Sequence, residues 1–233
     1  MRVALSYGRA GLEVDLPDAN LVKCLGYREA EPLADPTAAV WAALASPTGA
    51  APLAELARGR KNACVVISDV TRPVPNPVIL PPILRTLEES GIPRAGILIL
   101  VATGMHRPNV GDELAEMVGA ETAANYRIEN HDGLNRQQHA DLGESPRGVP
   151  VWIDSRYVEA DLKITTGLIE PHFMAGFSGG RKAIMPGICA FDTVKVLHGY
   201  EAMGHPNSVE GAIDGNPVHD EILYVANLAR VDF

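Results

Sequence analysis

The segment Glu170–Lys182 (EPHFMAGFSGGRK) sets Gly176, Gly179 and Gly180 around Ser178 and leads into Arg181 and Lys182. Backbone this rich in glycine can fold its N–H groups into an anion-binding nest. It is not a Walker loop, because Ala183 follows Lys182 where that pattern needs a hydroxyl residue. Lys182 stands between the glycines and the apolar Ala183–Ile184–Met185, where desolvation lowers an amine's pKa and favours nucleophilic chemistry. The plainer alternative is a solvated Arg–Lys pair on a loop.

A second cluster is Ser68-Asp69-Val70-Thr71-Arg72. Backbone N–H groups, the Thr71 hydroxyl and the planar Arg72 fork suit a phosphate or carboxylate. Asp69 can equally serve only to cap its own loop. A third is Ala102–Pro108 (ATGMHRP), where Gly104 permits a sharp turn that aims His106 over a strand end. A loop histidine can also be merely structural. His198, in Lys195–Gly199, ends a predicted helix, where it can cap the last carbonyls or offer a neutral imidazole to a metal. No second ligand follows at i+4, so a closed zinc site is not indicated. Of the other histidines, only His131 (Glu129-Asn130-His131-Asp132) has a suggestive setting; His139, His205 and His219 read as surface or structural.

These clusters need a scaffold. Cys64–Ile67 and Gly96–Val101 are short continuous apolar runs, as expected of buried parallel strands, and Arg127–Glu129, Val149–Ile153 and Leu162–Thr165 are further strand candidates. Helices are expected at Ala38–Ala45, after the Asp35–Pro36 cap, and at Pro52–Arg58, Ile79–Ser90, Gly111–Tyr126, Phe191–Tyr200 and His219–Val231. Strands alternating with helices predict an α/β fold with a mostly parallel sheet flanked by helices. Ligands then gather at the carboxyl ends of the strands. Ser68–Arg72, Thr103–Arg107 and Thr166–His172 each follow a predicted strand. The expected organisation is a β-rich N-terminal segment, residues 1–60, packed on a cofactor-binding domain, residues 61–233. Within the first segment, Arg2–Tyr7 and Leu12–Leu16 predict a hairpin and Asn20–Leu25 a third strand.

Of the 233 residues, 46% are hydrophobic and 21% charged, which suits a folded domain rather than a disordered chain. The net charge of −9, with no basic cluster, excludes a nucleic-acid or anionic-membrane partner. No apolar run reaches the roughly 18 residues of a membrane helix, and the N-terminus has no signal-peptide core. The three cysteines are widely spaced with no CxxC pair, as expected of thiols in the cytoplasm.

From about residue 60 onward the chain resembles the lactate racemase family that uses a nickel-pincer nucleotide. The carriers are SDVTRPVPN (68–76), ATGMHRP (102–108), GLIEPHFMAGFSGGRKAIMPGI (167–188), VLHGY (196–200) and DGNPVHDEI (214–222). The resemblance implies an isomerase that racemises or epimerises a small 2-hydroxy acid, with hydride passed to and from the cofactor. It implies Lys182 as the tether of a pyridinium-3,5-bisthiocarboxylic acid mononucleotide, and His198 as the protein's ligand to its nickel. His106 and His172 match the family's proton donor and acceptor, and Asp69, Thr71 and Arg72 a loop near cofactor and substrate. Ser178, Gly179 and Gly180 are expected, on physical grounds, to cradle the nucleotide phosphate. Enzymes that build the cofactor are implied upstream. Family members also carry a second, C-terminal domain that closes over the substrate, and that domain is absent from these residues. The alternatives from other classes are a non-catalytic anion- or nucleotide-binding fragment or degenerate homologue, and a pyridoxal-phosphate Schiff-base enzyme on Lys182.

Overall fold

The computed structural model describes residues 1–26 and 30–233. Two units are resolved, Met1–Ala34 and Asp35–Phe233. In the smaller, β1 (Arg2–Leu5) and β2 (Leu12–Asp15) pair antiparallel, with Arg2 opposite Asp15 and their side chains 3.0 Å apart. The expected third strand at Asn20–Leu25 does not form: Asp18–Asn20 is a 3₁₀ turn and the residues after it are irregular. Val22 and Leu25 are 99% and 84% exposed, so no packing rewards an extended strand there.

The larger unit begins with α1 (Pro36–Ala45), whose start is capped as expected: the Asp35 carboxylate accepts from the Ala38 N–H, and Pro36 occupies the first helical position. After α2 (Leu53–Ala57) come β3 (Ala63–Ser68), α3 (Asn76–Glu89) and β4 (Ile97–Ala102). The predicted helix at Gly111–Tyr126 is two helices, α4 (Gly111–Val118) and α5 (Ala120–Asn125), because Gly119 takes a φ of 89° and ends the first. β5 (Arg127–Asn130), the ribbon of β6 (His139–Glu144) and β7 (Pro150–Asp154), the single turn α6 (Ser155–Val158) and β8 (Leu162–Thr165) follow. A two-residue pairing of β9 (Pro171–His172) with β10 (Gly176–Phe177) precedes α7 (Phe191–Leu197), α8 (Tyr200–Met203) and α9 (Pro217–Ala229).

The main sheet has the order β5-β4-β3-β8 and is parallel throughout. The expected strand at Val149–Ile153 exists as β7, but it pairs antiparallel with β6 outside this sheet. Successive side chains of a strand face opposite ways, and both faces of this sheet are covered. Cys64, Val66, Leu98 and Leu100 face Ile184, Val218, Ile222 and Val225. Ala63, Val65, Ile67, Ile97 and Ile99 face Leu80, Leu84 and Leu87 of α3. That two-sided burial explains why β3 and β4 read as unbroken apolar runs. The second cluster also takes in Leu44, Leu53 and Ala57. Residues 35–60 therefore belong to the main unit, and the boundary falls at Ala34/Asp35 rather than at residue 60. Residues 27–29 of the expected 1–60 segment lie outside the described residues. No described helix is long and apolar enough to cross a membrane.

Ile99 is fully buried on the central strand β4. Replacing it with alanine removes three carbons from a packed layer and is expected to cost about 2–5 kcal/mol of unfolding free energy, measured by denaturant titration.

Candidate active site

Parallel pairing of β3 with β4 and with β8 brings three carboxyl ends side by side. The loops leaving Ser68, Ala102 and Thr165 open on one edge and line a cleft of about 340 Å³. Of the residues singled out in the sequence, Asp69, Thr71, Arg72 and His106 line it from the first two loops. Ser178, Gly179, Lys182 and His198 line it from the third side. His172 and Gly180 do not line it. Thr166, from the predicted Thr166–His172 strand end, lines it too, as do Phe191 and Lys195, for which the sequence analysis offers no functional reading. Lys195 had a usable signal: it sits one helical turn before His198, on the same side of α7.

Asp69 is the anchor of the first loop. Its carboxylate is only 4% exposed. One oxygen accepts from the Thr71 hydroxyl at 2.6 Å and the Thr71 N–H at 3.2 Å. The other lies 2.6 Å from His106 Nδ1. A carboxylate can only accept, so Nδ1 carries the hydrogen, and in the neutral ring Nε2 holds the lone pair. Capping its own loop and orienting a histidine are thus done by the same carboxylate. Asn109, fully buried, ties this loop to the rest: its Oδ1 accepts from the Val70 N–H, while its own N–H and C=O pair with the Asn130 side chain at 2.9 Å each. No local pattern marks Asn109, because its partner lies 21 residues away.

The glycine-rich segment is folded tightly on itself. The Ser178 hydroxyl donates to the Leu168 carbonyl at 2.6 Å and accepts from the Glu170 N–H at 3.0 Å. That hydroxyl is engaged in holding the loop, which leaves the expected phosphate cradle without its side-chain member. Gly179, at φ 67°, packs so closely that a Cβ there would sit 2.7 Å from the Leu168 oxygen. In the preceding turn, His172 Nδ1 accepts from the N–H groups of Met174 and Ala175 at 3.4 and 3.3 Å. Arg181 holds the same turn from the other side by donating to the carbonyls of Ala175 and Phe177 at 2.7 and 3.3 Å.

Cations dominate this end of the molecule, although the chain is net acidic. Arg72 has a loose ion pair with Glu170 at 3.8 Å. Burial, then Arg72 and Arg181, push the Lys182 amine down to about 8. Burial, then Lys182, Arg72, Arg181 and His198, push His172 down to about 4, so its ring is neutral near pH 7. Burial also lowers Arg181. His198 closes α7 by donating Nδ1–H to the Val194 carbonyl at 2.9 Å. The helix cap and the metal ligand are therefore compatible roles, because capping through Nδ1 leaves the Nε2 lone pair available. Among the described residues no group of three or more His, Cys, Asp or Glu side chains could hold a metal ion. His131 is structural: fully buried, its Nδ1 lies 3.0 Å from Asp154 and its Nε2 3.0 Å from the Cys189 carbonyl.

Comparison with known proteins gives the family and the fold. The family model for the lactate racemase N-terminal domain matches residues 7–211. The chain is 35% identical over 233 residues to a lactate racemase from Thermoanaerobacterium thermosaccharolyticum, covering 99% of this chain and 54% of that one. It is 40% identical over 190 residues to a lactate racemase from Lactiplantibacillus plantarum, covering 82% of this chain and 45% of that one. The structure of the lactate racemase apoprotein from T. thermosaccharolyticum matches with a TM-score of 0.86 at 34% identity, over 99% of this chain and 54% of that one. A crystal structure of a protein from Thermotoga maritima shares the fold, with a TM-score of 0.68 at 22% identity over 87% of this chain and 49% of that one. The chain spans about half the length of the curated relatives it matches.

The state of Lys182 gives a test that needs no ligand. Its folded pKa of about 8 lies below the ordinary 10.5, so folding releases a proton between these two pH values. The buried charge thus opposes folding fully below about pH 8, and its effect vanishes above about 10.5. Lys182→Met is expected to raise the Tm at neutral pH, with the gain shrinking across that window. Thermal melts from pH 7 to 10.5 measure it, and a Tm lowered at pH 7 would contradict the assignment.

Proposed function

This chain belongs to the lactate racemase N-terminal domain family, and on that premise we propose that it is the cofactor-holding half of a racemase or epimerase of a small 2-hydroxy acid. One observation carries the reading: Lys182, His198 and the Asp69–His106 pair converge on a single cleft. A mere anion-binding module needs cations there, but it has no use for an oriented histidine base or an imidazole with a spare lone pair.

The residues present fit a nickel-pincer nucleotide. Lys182, half-buried with its pKa depressed to about 8, offers a nucleophilic amine for a covalent tether. His198 offers Nε2 as a nickel ligand. Arg72 and Arg181 beside Lys182 form positive surroundings that suit the anionic parts of cofactor and substrate. When bound, the group supplies the hydride acceptor and donor for the α-carbon.

This chain's own residues then handle binding and protons. The Arg72 fork suits the substrate carboxylate. His106, its Nδ1–H held by Asp69, presents Nε2 to take the hydroxyl proton, and the imidazolium so formed sits beside a buried carboxylate. His172 has the opposite tautomer. Its Nδ1 accepts from backbone, so Nε2–H is the donor side of the pair. Two histidines with opposite hydrogen placement suit a reaction in which oxygen loses a proton on one face and regains one on the other. These groups suit any small 2-hydroxy acid. The enzymes that build the cofactor act upstream, and the unpaired cysteines suit a cytoplasmic setting.

Protein purified from a host with the cofactor pathway is expected to carry a covalent adduct on Lys182 and stoichiometric nickel, read by intact-mass spectrometry and metal analysis. An unmodified mass without nickel, despite an intact pathway, would sink this reading. An adduct removed by hydroxylamine would indicate pyridoxal phosphate instead. His198→Ala is expected to lose nickel and keep the adduct. In the full-length protein, His106→Ala is expected to keep both and slow racemisation roughly 10²–10⁴-fold.

A further inference from the structure

We infer that Asn216 is a positioning residue for His172, acting through the Met174–Ala175 peptide group to hold the ring with its hydrogen on Nε2. The inference rests on the proposed proton-transfer role of His172. Asn216 lies in the Asp214–Ile222 stretch, at the start of α9, and is fully buried. Its Oδ1 accepts from the N–H groups of Val218 and His219 at 3.0 and 3.1 Å, which caps the helix. Its Nδ2 donates to the carbonyls of Met174 and Ala212, both at 3.0 Å. Two N–H neighbours on one side and two carbonyls on the other fix which end of the amide is which.

The Met174 carbonyl and the Ala175 N–H belong to one peptide plane. Donation from Asn216 to that oxygen fixes the plane and polarises it, strengthening the N–H on the opposite edge as a donor. That N–H points at His172 Nδ1, as does the Met174 N–H. A ring that accepts at Nδ1 must carry its hydrogen on Nε2 if it is neutral. Capping alone does not account for Asn216, because serine or aspartate caps a helix as well as asparagine does. Neither can donate an N–H to a carbonyl 42 residues away in sequence. The two turns are also pressed together. The Gly211 N–H donates to the Gly176 carbonyl at 2.9 Å, and a Cβ on Gly176 would stand 2.1 Å from the Ala212 oxygen. The turn that carries His172 is thus shaped from the 211–216 segment.

Asn216→Ser separates the two roles, since it keeps a capping oxygen and loses both amide N–H donors, leaving a shorter side chain with a single hydroxyl hydrogen. The test is nitrogen NMR of the ¹⁵N-histidine-labelled chain. Wild-type His172 is expected to show a pyridine-like Nδ1 and a hydrogen-bearing Nε2. Asn216→Ser is expected to lose this fixed pattern for averaged values, with the other histidines unchanged. In the full-length enzyme the same substitution is expected to lower kcat about tenfold with little change in KM. A ring that keeps its Nε2–H tautomer in Asn216→Ser overturns the inference. So does a wild-type ring with its hydrogen on Nδ1, a result independent of whether the variant folds. The activity of His172→Ala judges the catalytic reading separately: full racemisation there removes that role, whereas the tautomer result concerns Asn216 alone.

Discussion

Everything at the cleft depends on one constraint, the parallel pairing of β3 with β4 on one side and β8 on the other. Parallel strands end on the same edge, so the loops after Ser68, Ala102 and Thr165 are forced together, although they lie far apart in sequence. Antiparallel pairing of any of the three would send one loop to the opposite edge. The same pairing buries both faces of the sheet, and the two apolar layers make its position rigid. The residues that do chemistry can then sit on irregular backbone without losing their aim.

On that frame the electrostatics are lopsided. Arg72, Arg181 and Lys182 crowd one region, and Glu170 approaches only Arg72, at 3.8 Å. Their mutual repulsion and their burial push Lys182 and His172 toward their neutral forms. Neutral amine and neutral imidazole are the reactive forms for covalent attachment and for proton exchange. The cluster opposes folding while an anion would relieve it, as expected where function and stability compete.

The loops themselves are fixed by buried polar side chains rather than by apolar packing. Asp69 ties Thr71 and His106 together, and Asn109 links the loops after β3 and β4 to the end of β5. Ser178 folds the glycine-rich segment onto Leu168, and Arg181 and Asn216 grip the His172 turn from either side. Asp69, Asn109, Ser178 and Asn216 are fully partnered, the condition under which buried polar groups specify one arrangement, whereas the buried Nε of Arg181 has no hydrogen-bond partner.

Several features were legible in the sequence because their causes are local. The apolar runs at Cys64–Ile67 and Gly96–Val101 mark strands covered on both faces, and Asp35–Pro36 marks a helix start. The motifs at residues 68–76, 102–108 and 167–188 mark the family and the three strand ends that meet. Other features were not legible. The ribbon strand His139–Glu144 has no apolar run, the helix at Gly111–Tyr126 breaks at Gly119, and residues 35–60 join the main core. That Ser178 holds its own loop, that the His172 ring accepts at Nδ1 from its own turn, and that Asn216 reaches Met174 were decided only by the tertiary structure. Residue type and spacing determine which groups can donate, accept or attack; which partner each one finds is set by the packing of segments distant in sequence, and no local pattern encodes that.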